Sequence, residues 1–385
     1  MVKSRISEIL TRGVEKIYPN QEALEKLLQQ RKIRLYLGID PTGSRFHLGH
    51  TIPLRKLQEF ADLGHEAILL IGTGTVLVGD PSQRTEKRKQ ITESEIQKNI
   101  ETWKQQAEKI VDFSKVQIKK NSDWLLKLTM KDLIGIASNI SAVQLFKREM
   151  FQERLKRGDT VWAHETLYPL LQGYDSIALD VDLEIGGTDQ TFNMLIGREL
   201  MQKMCGKEKY VLTVPMILGT DGKPMNKSSG NCIWLEDKPS EMYGKLMSIP
   251  DEQIDSYLEL VTDISQDELD RAEELKPLDK KRLLALTVVK MYHGEEKAWQ
   301  AQKGFESVFS KGGIPENIPT WELSGQDINL PEVLVDRGII KSRSEARRLI
   351  SQGGVTLNDR KLMKPETTLE KGILKVGKRI FIKIE

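Results

Sequence analysis

The sequence predicts an α/β protein built on a parallel sheet, followed by a helical segment and a small basic α+β domain. Three observations carry this. A buried strand, a crossover helix and a second buried strand follow one another within about 40 residues, the pattern of a parallel sheet. From 239 to 310 the text is helical with polar faces. Beyond a Gly- and Pro-rich stretch, Lys311 to Gln326, the chain reads as two short helices (331–350) and then strands (353–384).

Residues 4–30 read as helix, with Ile6, Ile9, Leu10, Val14 and Ile17 at helical spacing and Leu24, Leu27 and Leu28 continuing it. Residues 33–39 read as a buried strand ending in the turn cluster Asp40-Pro41-Thr42-Gly43. His47 to Leu63 reads as helix, and Glu66 to Gly72 as the second strand. Charged helical text at 85–110 and 123–160 reads as an insertion between two halves of the sheet, placed at about 110–160. Ser176 to Ile185 reads as a strand entering Gly186-Gly187 and a helix from Asp189. Val211 to Leu218 reads as another, entering Gly219-Thr220-Asp221-Gly222. There is no internal repeat and no low-complexity tract.

Composition excludes several classes. Of 385 residues, 39% are hydrophobic and 30% charged, so disorder and collagen-like readings fall away. Net charge is +2, but residues 331–385 hold 13 Lys+Arg against 7 Asp+Glu, which suggests an anionic partner for the tail. Two cysteines, Cys205 and Cys232, exclude a disulfide scaffold and a four-cysteine zinc site, and read as buried small residues in a reduced compartment. His65, His164 and His293 add no metal-ligand spacing and read as structural. No apolar run approaches membrane-spanning length, and the N-terminus lacks an apolar targeting core. A soluble cytoplasmic protein is expected.

Two motifs carry chemistry. After the first strand and its turn, His47-Leu48-Gly49-His50 opens a helix with both imidazoles on one face. Backbone N–H groups and the positive dipole end face the same space, which suits polyphosphate. Gly49 lets a flat group approach. The plainer alternative is a solvated histidine pair at a helix cap. The second motif, Asp221 to Asn231 (DGKPMNKSSGN), is a polar lysine-bearing loop able to swing a lysine onto phosphates; a solvated surface loop is its alternative. It is not a P-loop, and Gly72-Thr73-Gly74 lacks the third glycine of a dinucleotide fingerprint.

Together these motifs resemble the HIGH and KMSKS signatures of class I aminoacyl-tRNA synthetases. The second reads Pro224-Met225-Asn226-Lys227-Ser228: Pro replaces the first Lys and Asn the first Ser, while Lys227 matches the second Lys and Lys223 lies one position early. Five further segments resemble the tyrosyl-tRNA synthetases: Tyr36 to Thr42, Gly79 to Ser82, Asn121 to Trp124, Tyr168 to Asp175 and Gly186 to Gln190.

The resemblance implies residue roles. Tyr36 and Asp175 would meet a substrate phenol, which needs partners when buried. Asp80, Tyr168 and Gln172 match the α-ammonium site, and Gln190 a further tyrosine-pocket position. Tyr168, Gln172 and Asp175 can share one helix face. Gly187 and Asp189 match the ribose site. Thr42, His47 and His50 would contact the ATP phosphates, Asp40 and Gly49 belong to the same ATP site, and Lys223 and Lys227 approach it from the loop. Arg84 and Arg88 would hold departing pyrophosphate. Bland alternatives stand beside these: a core tyrosine, a capped Gly-Asp-Pro-Ser loop, a solvated basic helix.

The tail speaks separately. Lys341, Arg343, Arg347 and Arg348 lie on a capped basic helix followed by a Gly-Gly turn and a strand, which suits RNA phosphates. It resembles a small RNA-binding domain shared with a ribosomal small-subunit protein. The expected organisation is a Rossmann-like catalytic domain over 1–235, a helical anticodon-recognition domain over 236–318 and an RNA-binding domain over 330–385. The implied activity joins L-tyrosine to tRNA(Tyr) through a tyrosyl adenylate, with ATP as substrate, Mg²⁺ accompanying it, no zinc, no membrane, and a homodimer. The rival readings are a tryptophanyl-tRNA synthetase and a non-catalytic, synthetase-derived RNA-binding protein.

Overall fold

The structure, a computed structural model, describes residues 2–80, 92–225, 229–310, 318–323, 325, 327–340, 342–377 and 380–385. Contacts divide it into two compact units, Met1–Ala298 and Trp299–Glu385.

The first unit is organised on six strands: β1 (Lys16–Tyr18), β2 (Arg34–Ile39), β3 (Glu66–Ile71), β4 (Val116–Lys120), β5 (Leu183–Gly187) and β6 (Tyr210–Val214). Their order is β1-β6-β5-β2-β3-β4. Every pair is parallel except β1 against β6. The central strands are apolar on both faces, as a sheet covered by helices requires: Leu35, Tyr36, Leu37, Ile68, Leu70, Leu183 and Ile185 are all buried. The chain runs outward from β2 through β3 to β4, then restarts with β5 on the other side of β2. The C-terminal ends of β2 and β5 therefore flank the crevice where open α/β sheets bind ligands.

Before and between these strands come α1 (Val2–Ile9), α2 (Gln21–Gln30), α3 (Leu48–Asp62), α4 (Thr75–Val78) and α5 (Glu93–Ala107). The insertion supplies α6 (Ser122–Leu125), α7 (Met130–Ala137), α8 (Ala142–Phe146) and α9 (Glu149–Arg157). Then follow α10 (Tyr168–Ala178) and α11 (Thr191–Leu200). Beyond the sheet lie α12 (Pro239–Ser248), α13 (Ile254–Val261), α14 (Gln266–Glu273), α15 (Pro277–His293) and α16 (Glu295–Ser310). As far as Ala298 this helical segment belongs to the same compact unit as the sheet.

Four expectations change. The helix over 4–30 is two helices with β1 between them, because Gly13 turns the chain at φ +62 and the Asn20 side chain caps α2 by accepting from Ala23 N at 2.9 Å. The strand over 176–185 begins only at Leu183: Ser176 to Ala178 finish α10, and Asp180 turns the chain at φ 48. A short apolar run does not distinguish strand from buried helix end. The insertion at about 110–160 contains β4, a strand of the sheet itself. Cys205 is exposed, while Cys232 is buried as expected.

The second unit contains β7 (Thr320–Trp321), β8 (Asp327–Asn329), α17 (Leu330–Asp336), α18 (Arg343–Ser351), β9 (Val355–Leu357), β10 (Arg360–Lys361), β11 (Glu366–Thr368), β12 (Gly372–Val376) and β13 (Ile380–Ile384). Five strands pair in the order β10-β9-β12-β13-β7, and β11 pairs with β8. Its core is Trp321, Leu330, Leu334, Ile350, Val355 and Leu374 with their neighbours. Among the described residues no helix is long and apolar enough to cross a membrane.

Candidate active site

Asp40 follows β2, and its carboxylate is the first fixed point of the crevice. It accepts from Thr75 Oγ1 at 2.7 Å and from the Tyr168 hydroxyl at 3.0 Å. A Cβ at Gly72 would stand 1.9 Å from Asp40 Oδ1, so that glycine makes room for the carboxylate. Burial beside Asp40 pushes the Tyr168 phenol well above its ordinary range, so its proton stays in place to donate.

α3 starts at the same edge. The His47 and His50 rings lie 3.9 Å apart between centroids, and His47 N donates to His50 Nδ1 at 3.2 Å. The expected sharing of one face is present. Gly49 serves the histidine itself: a Cβ there would stand 3.1 Å from two atoms of the His47 ring. Thr42, half-buried, lies in the turn between β2 and α3, with its N–H donating to Asp40 O at 2.7 Å.

α10 carries the remaining expected cluster. Asp175 is 2% exposed and accepts from Trp124 Nε1 at 2.8 Å and Asn121 Nδ2 at 3.0 Å. Burial outweighs these two donors and pushes its carboxyl up to about 8. Asn121 also reaches Thr75 Oγ1 at 3.0 Å, which joins Asp175 to the Asp40 cluster. The Tyr36 hydroxyl shares a hydrogen bond with Ser176 Oγ at 3.1 Å, and its buried phenol is pushed well above its ordinary range. Gln172 donates from Nε2 to Glu184 at 2.9 Å. Its Oε1 is buried without a hydrogen-bond partner among the described residues.

The third cluster joins the loop after α4 to the end of β5. Asp80 accepts from Gln190 Nε2 at 2.7 Å and from Arg148 at 3.2 Å. Gln190 also donates to Asp189 at 2.9 Å. A Cβ at Gly187 would stand 2.5 Å from Asp189 Oδ1, so this glycine gives the carboxylate its place.

The loop after β6 is gathered by buried Asn231, which donates to Asp221 Oδ1 at 2.8 Å and Pro224 O at 3.0 Å. Lys223 is exposed beside it, with its N–H on Asp221 at 3.0 Å. Lys227, Arg84, Arg88 and Lys341 lie outside the described residues. In the second unit Arg343, Arg347 and Arg348 are all exposed on α18, and Arg343 pairs with Glu332 at 3.0 Å.

Sequence reasoning missed Thr75, Arg148, Glu184 and Lys209. Arg148 is 5% exposed inside the charged insertion text, where nothing separates it from solvated arginines. Glu184 lies in text that alternates acidic and apolar residues and Lys209 ends the charged run Lys207-Glu208-Lys209, so the sequence does not mark either as buried. Among the described residues no group of three metal-ligating side chains stands together.

Comparison with known proteins identifies the family. A family model described as tRNA synthetases class I (W and Y) matches residues 28–310, and one for a tyrosine–tRNA ligase C-terminal domain matches 311–383. The tyrosine–tRNA ligase of Thermotoga maritima is 42% identical over 98% of this chain and 96% of its own length. That of Aquifex aeolicus is 38% identical over 98% and 97%. In fold, the first unit's architecture also matches solved tyrosyl-tRNA synthetases at 22% identity. One from Archaeoglobus fulgidus, complexed with L-tyrosine, has a TM-score of 0.64 over 78% of this chain and 99% of that one. A truncated mitochondrial one from Aspergillus nidulans has 0.67 over 79% and 94%. With both a class-wide model and a tail model spanning nearly all of it, and full-length relatives far above 30% identity, the chain belongs to the class I tRNA synthetases, in the tyrosine–tRNA ligase family.

Proposed function

We propose that this protein activates L-tyrosine with ATP and transfers it to tRNA(Tyr). The single observation that carries the substrate is the α10 face, where Tyr168, Gln172 and Asp175 stand with Asp40 and Asn121 at one end of the sheet. In this reading the buried Gln172 Oε1 accepts from the substrate ammonium, together with Tyr168 and Asp80. Asp175 and Tyr36 meet the phenol, and Gln190 completes the pocket. The tyrosine carboxylate attacks the α-phosphorus of ATP and pyrophosphate departs in line; the terminal ribose of the tRNA then attacks the adenylate. No side-chain nucleophile is required, and the work is positioning and charge stabilisation.

His47, His50 and Thr42 at the start of α3 meet the phosphates, and Gly187 and Asp189 the ribose. Asp40 and Gly49 shape the same site, while Lys223, Lys227, Arg84 and Arg88 supply positive charge to the leaving group. ATP arrives as its magnesium complex, with the ion riding on the phosphates. The helical segment 236–318 reads the anticodon and residues 330–385 bind RNA, Lys341, Arg343, Arg347 and Arg348 facing phosphates. The molecule works in the cytoplasm as a homodimer. Leu126, Met130, Ile134 and Val143, each 62–72% exposed on or beside α6 to α8, offer an apolar face for a second copy.

Pyrophosphate exchange run separately with each of the twenty amino acids tests the reading. Tyrosine alone should support exchange. Exchange with tryptophan would favour the tryptophanyl reading, and exchange with none would favour a non-catalytic RNA-binding protein.

A further inference from the structure

Beneath α10 lies a charge pair that the roles above leave unused. Glu184 on β5 is 2% exposed, and Lys209, just before β6, is fully buried. Glu184 is the cross-strand partner of Tyr36 in the β2–β5 register, so both side chains project from the same face. The Lys209 ammonium donates to Glu184 Oε2, to Ser176 Oγ at 2.7 Å and to Met194 O at 3.3 Å. All three of its protons have acceptors. Its place is carved by Gly197 on α11, where a Cβ would stand 2.6 Å from Nζ. The other carboxylate oxygen, Glu184 Oε1, accepts from Gln172 Nε2 at 2.9 Å. Ser176 passes the contact on to the Tyr36 hydroxyl at 3.1 Å. One buried pair thus touches both ends of the proposed tyrosine pocket.

The two faces of an amide are not equivalent. A carboxylate only accepts, so Glu184 compels Gln172 to present its NH₂ group. The carbonyl Oε1 is then turned the other way, where it is buried and without a partner among the described residues. We infer that Glu184 and Lys209 are positioning residues that lock the Gln172 amide in the orientation whose oxygen accepts from the α-ammonium of the substrate. This rests on the tyrosine-activating reading above. It gives a role to a buried ion pair, a costly feature, that stands behind the proposed pocket and is given no contact with the substrate.

The inference makes an unusual prediction about two variants. In Glu184→Gln, the Lys209 ammonium still only donates, so it draws the carbonyl of the introduced amide toward itself. The NH₂ group of that amide then faces Gln172 and draws the Gln172 carbonyl inward. The Gln172 NH₂ is left pointing at the substrate ammonium, donor against donor. In the double variant Glu184→Gln/Lys209→Met nothing enforces that flip, and either amide orientation is open. The single variant should therefore bind L-tyrosine more weakly than the double one. A merely structural role orders them the other way, or equally.

The experiment measures equilibrium binding of L-tyrosine and of 3-(4-hydroxyphenyl)propanoate, which lacks the ammonium, to wild-type and variant full-length protein. L-Tyrosine binding to Glu184→Gln should weaken roughly tenfold, the scale of one hydrogen bond to a charged group. The double variant should recover to within about twofold to threefold of wild type, as expected when about half the population is competent. The deamino ligand should bind all three alike. Equal weakening of both ligands, or a double variant no better than the single one, overturns the inference. If Glu184→Gln fails to fold, the uncharged double variant decides alone: about a twofold loss confined to L-tyrosine supports the inference, and a wild-type ratio of the two affinities overturns it. If wild type itself neither binds tyrosine nor catalyses tyrosine-dependent exchange, the functional reading falls first and this one with it.

Discussion

At the scale of single residues, Asp175 shows how far burial and hydrogen bonding can oppose each other. Asn121 and Trp124 each donate to it, yet burial wins and its carboxyl titrates at about 8. A folded-state value above the unfolded one means stability that is full at low pH and is lost as pH rises from about 4 through about 8. Asp175→Ala lacks that loss. In urea unfolding the stability gap between wild type and Asp175→Ala should narrow from pH 5 to pH 9, by on the order of a few kcal/mol at most. The same variant should weaken discrimination of tyrosine against phenylalanine in pyrophosphate exchange, because a phenol partner is gone; an unchanged ratio in a folded variant would remove Asp175 from that role. Lys227 belongs to this scale too. Lys227→Ala should slow single-turnover adenylate formation by roughly 10²-fold with little change in tyrosine binding, the cost of one preorganised charge donor, and Lys223→Ala should cost less. A wild-type rate in Lys227→Ala would show that the loop is not the phosphate clamp. Candidate-site residues that stand in short motifs, such as His47-Leu48-Gly49-His50, could be picked out from sequence. Glu184, Lys209 and Arg148 could not, because their partners come from distant segments and only the fold brings them together.

At the scale of elements, α10 is the one that places most of the pocket, and what places α10 is its crossing with α11. A Cβ at Gly173 would stand 2.7 Å from Leu200 Cδ1 and 3.1 Å from the Gly197 backbone, so the helices meet through two glycines. Gly173→Ala should push them apart, destabilising the protein by about 1–3 kcal/mol and raising the KM for tyrosine more than that for ATP. Thermal unfolding and steady-state exchange kinetics check both; equal KM changes would mean the displacement does not reach the pocket. Most elements could be read from apolar periodicity, and β2, α3 and β3 fall within two residues of their expected bounds. The errors share a cause. Breaks within 4–30 and at 176–185 depend on single turning residues, Gly13 and Asp180, while β4 is a short edge strand of mixed apolar and polar residues lying between two stretches of charged helical text. Local sequence carries weak signal at such places because pairing with a remote strand decides them.

At the scale of the molecule, the proposed chemistry lies in the first compact unit and the basic tail in the second. Truncation after residue 310 removes the basic tail without leaving β7 unpaired from β13. Adenylate formation should survive. tRNA charging should fall and become less sensitive to salt, since fewer counterions are released. A truncated enzyme with the full-length charging rate and salt slope would free the tail of that role. The strand order has a further consequence, felt while the chain is being made. β2 can pair with β3 as soon as residue 71 has appeared, but its other edge waits for β5, and Tyr36 meets Glu184 only after 113 more residues have been added. During that interval the nascent chain carries an open, apolar sheet edge, the kind that recruits stray strands. The proposed tyrosine pocket, which straddles that edge, cannot form until about half the chain has been made, so a chain cut short before residue 187 keeps a sheet with a sticky margin and lacks that pocket.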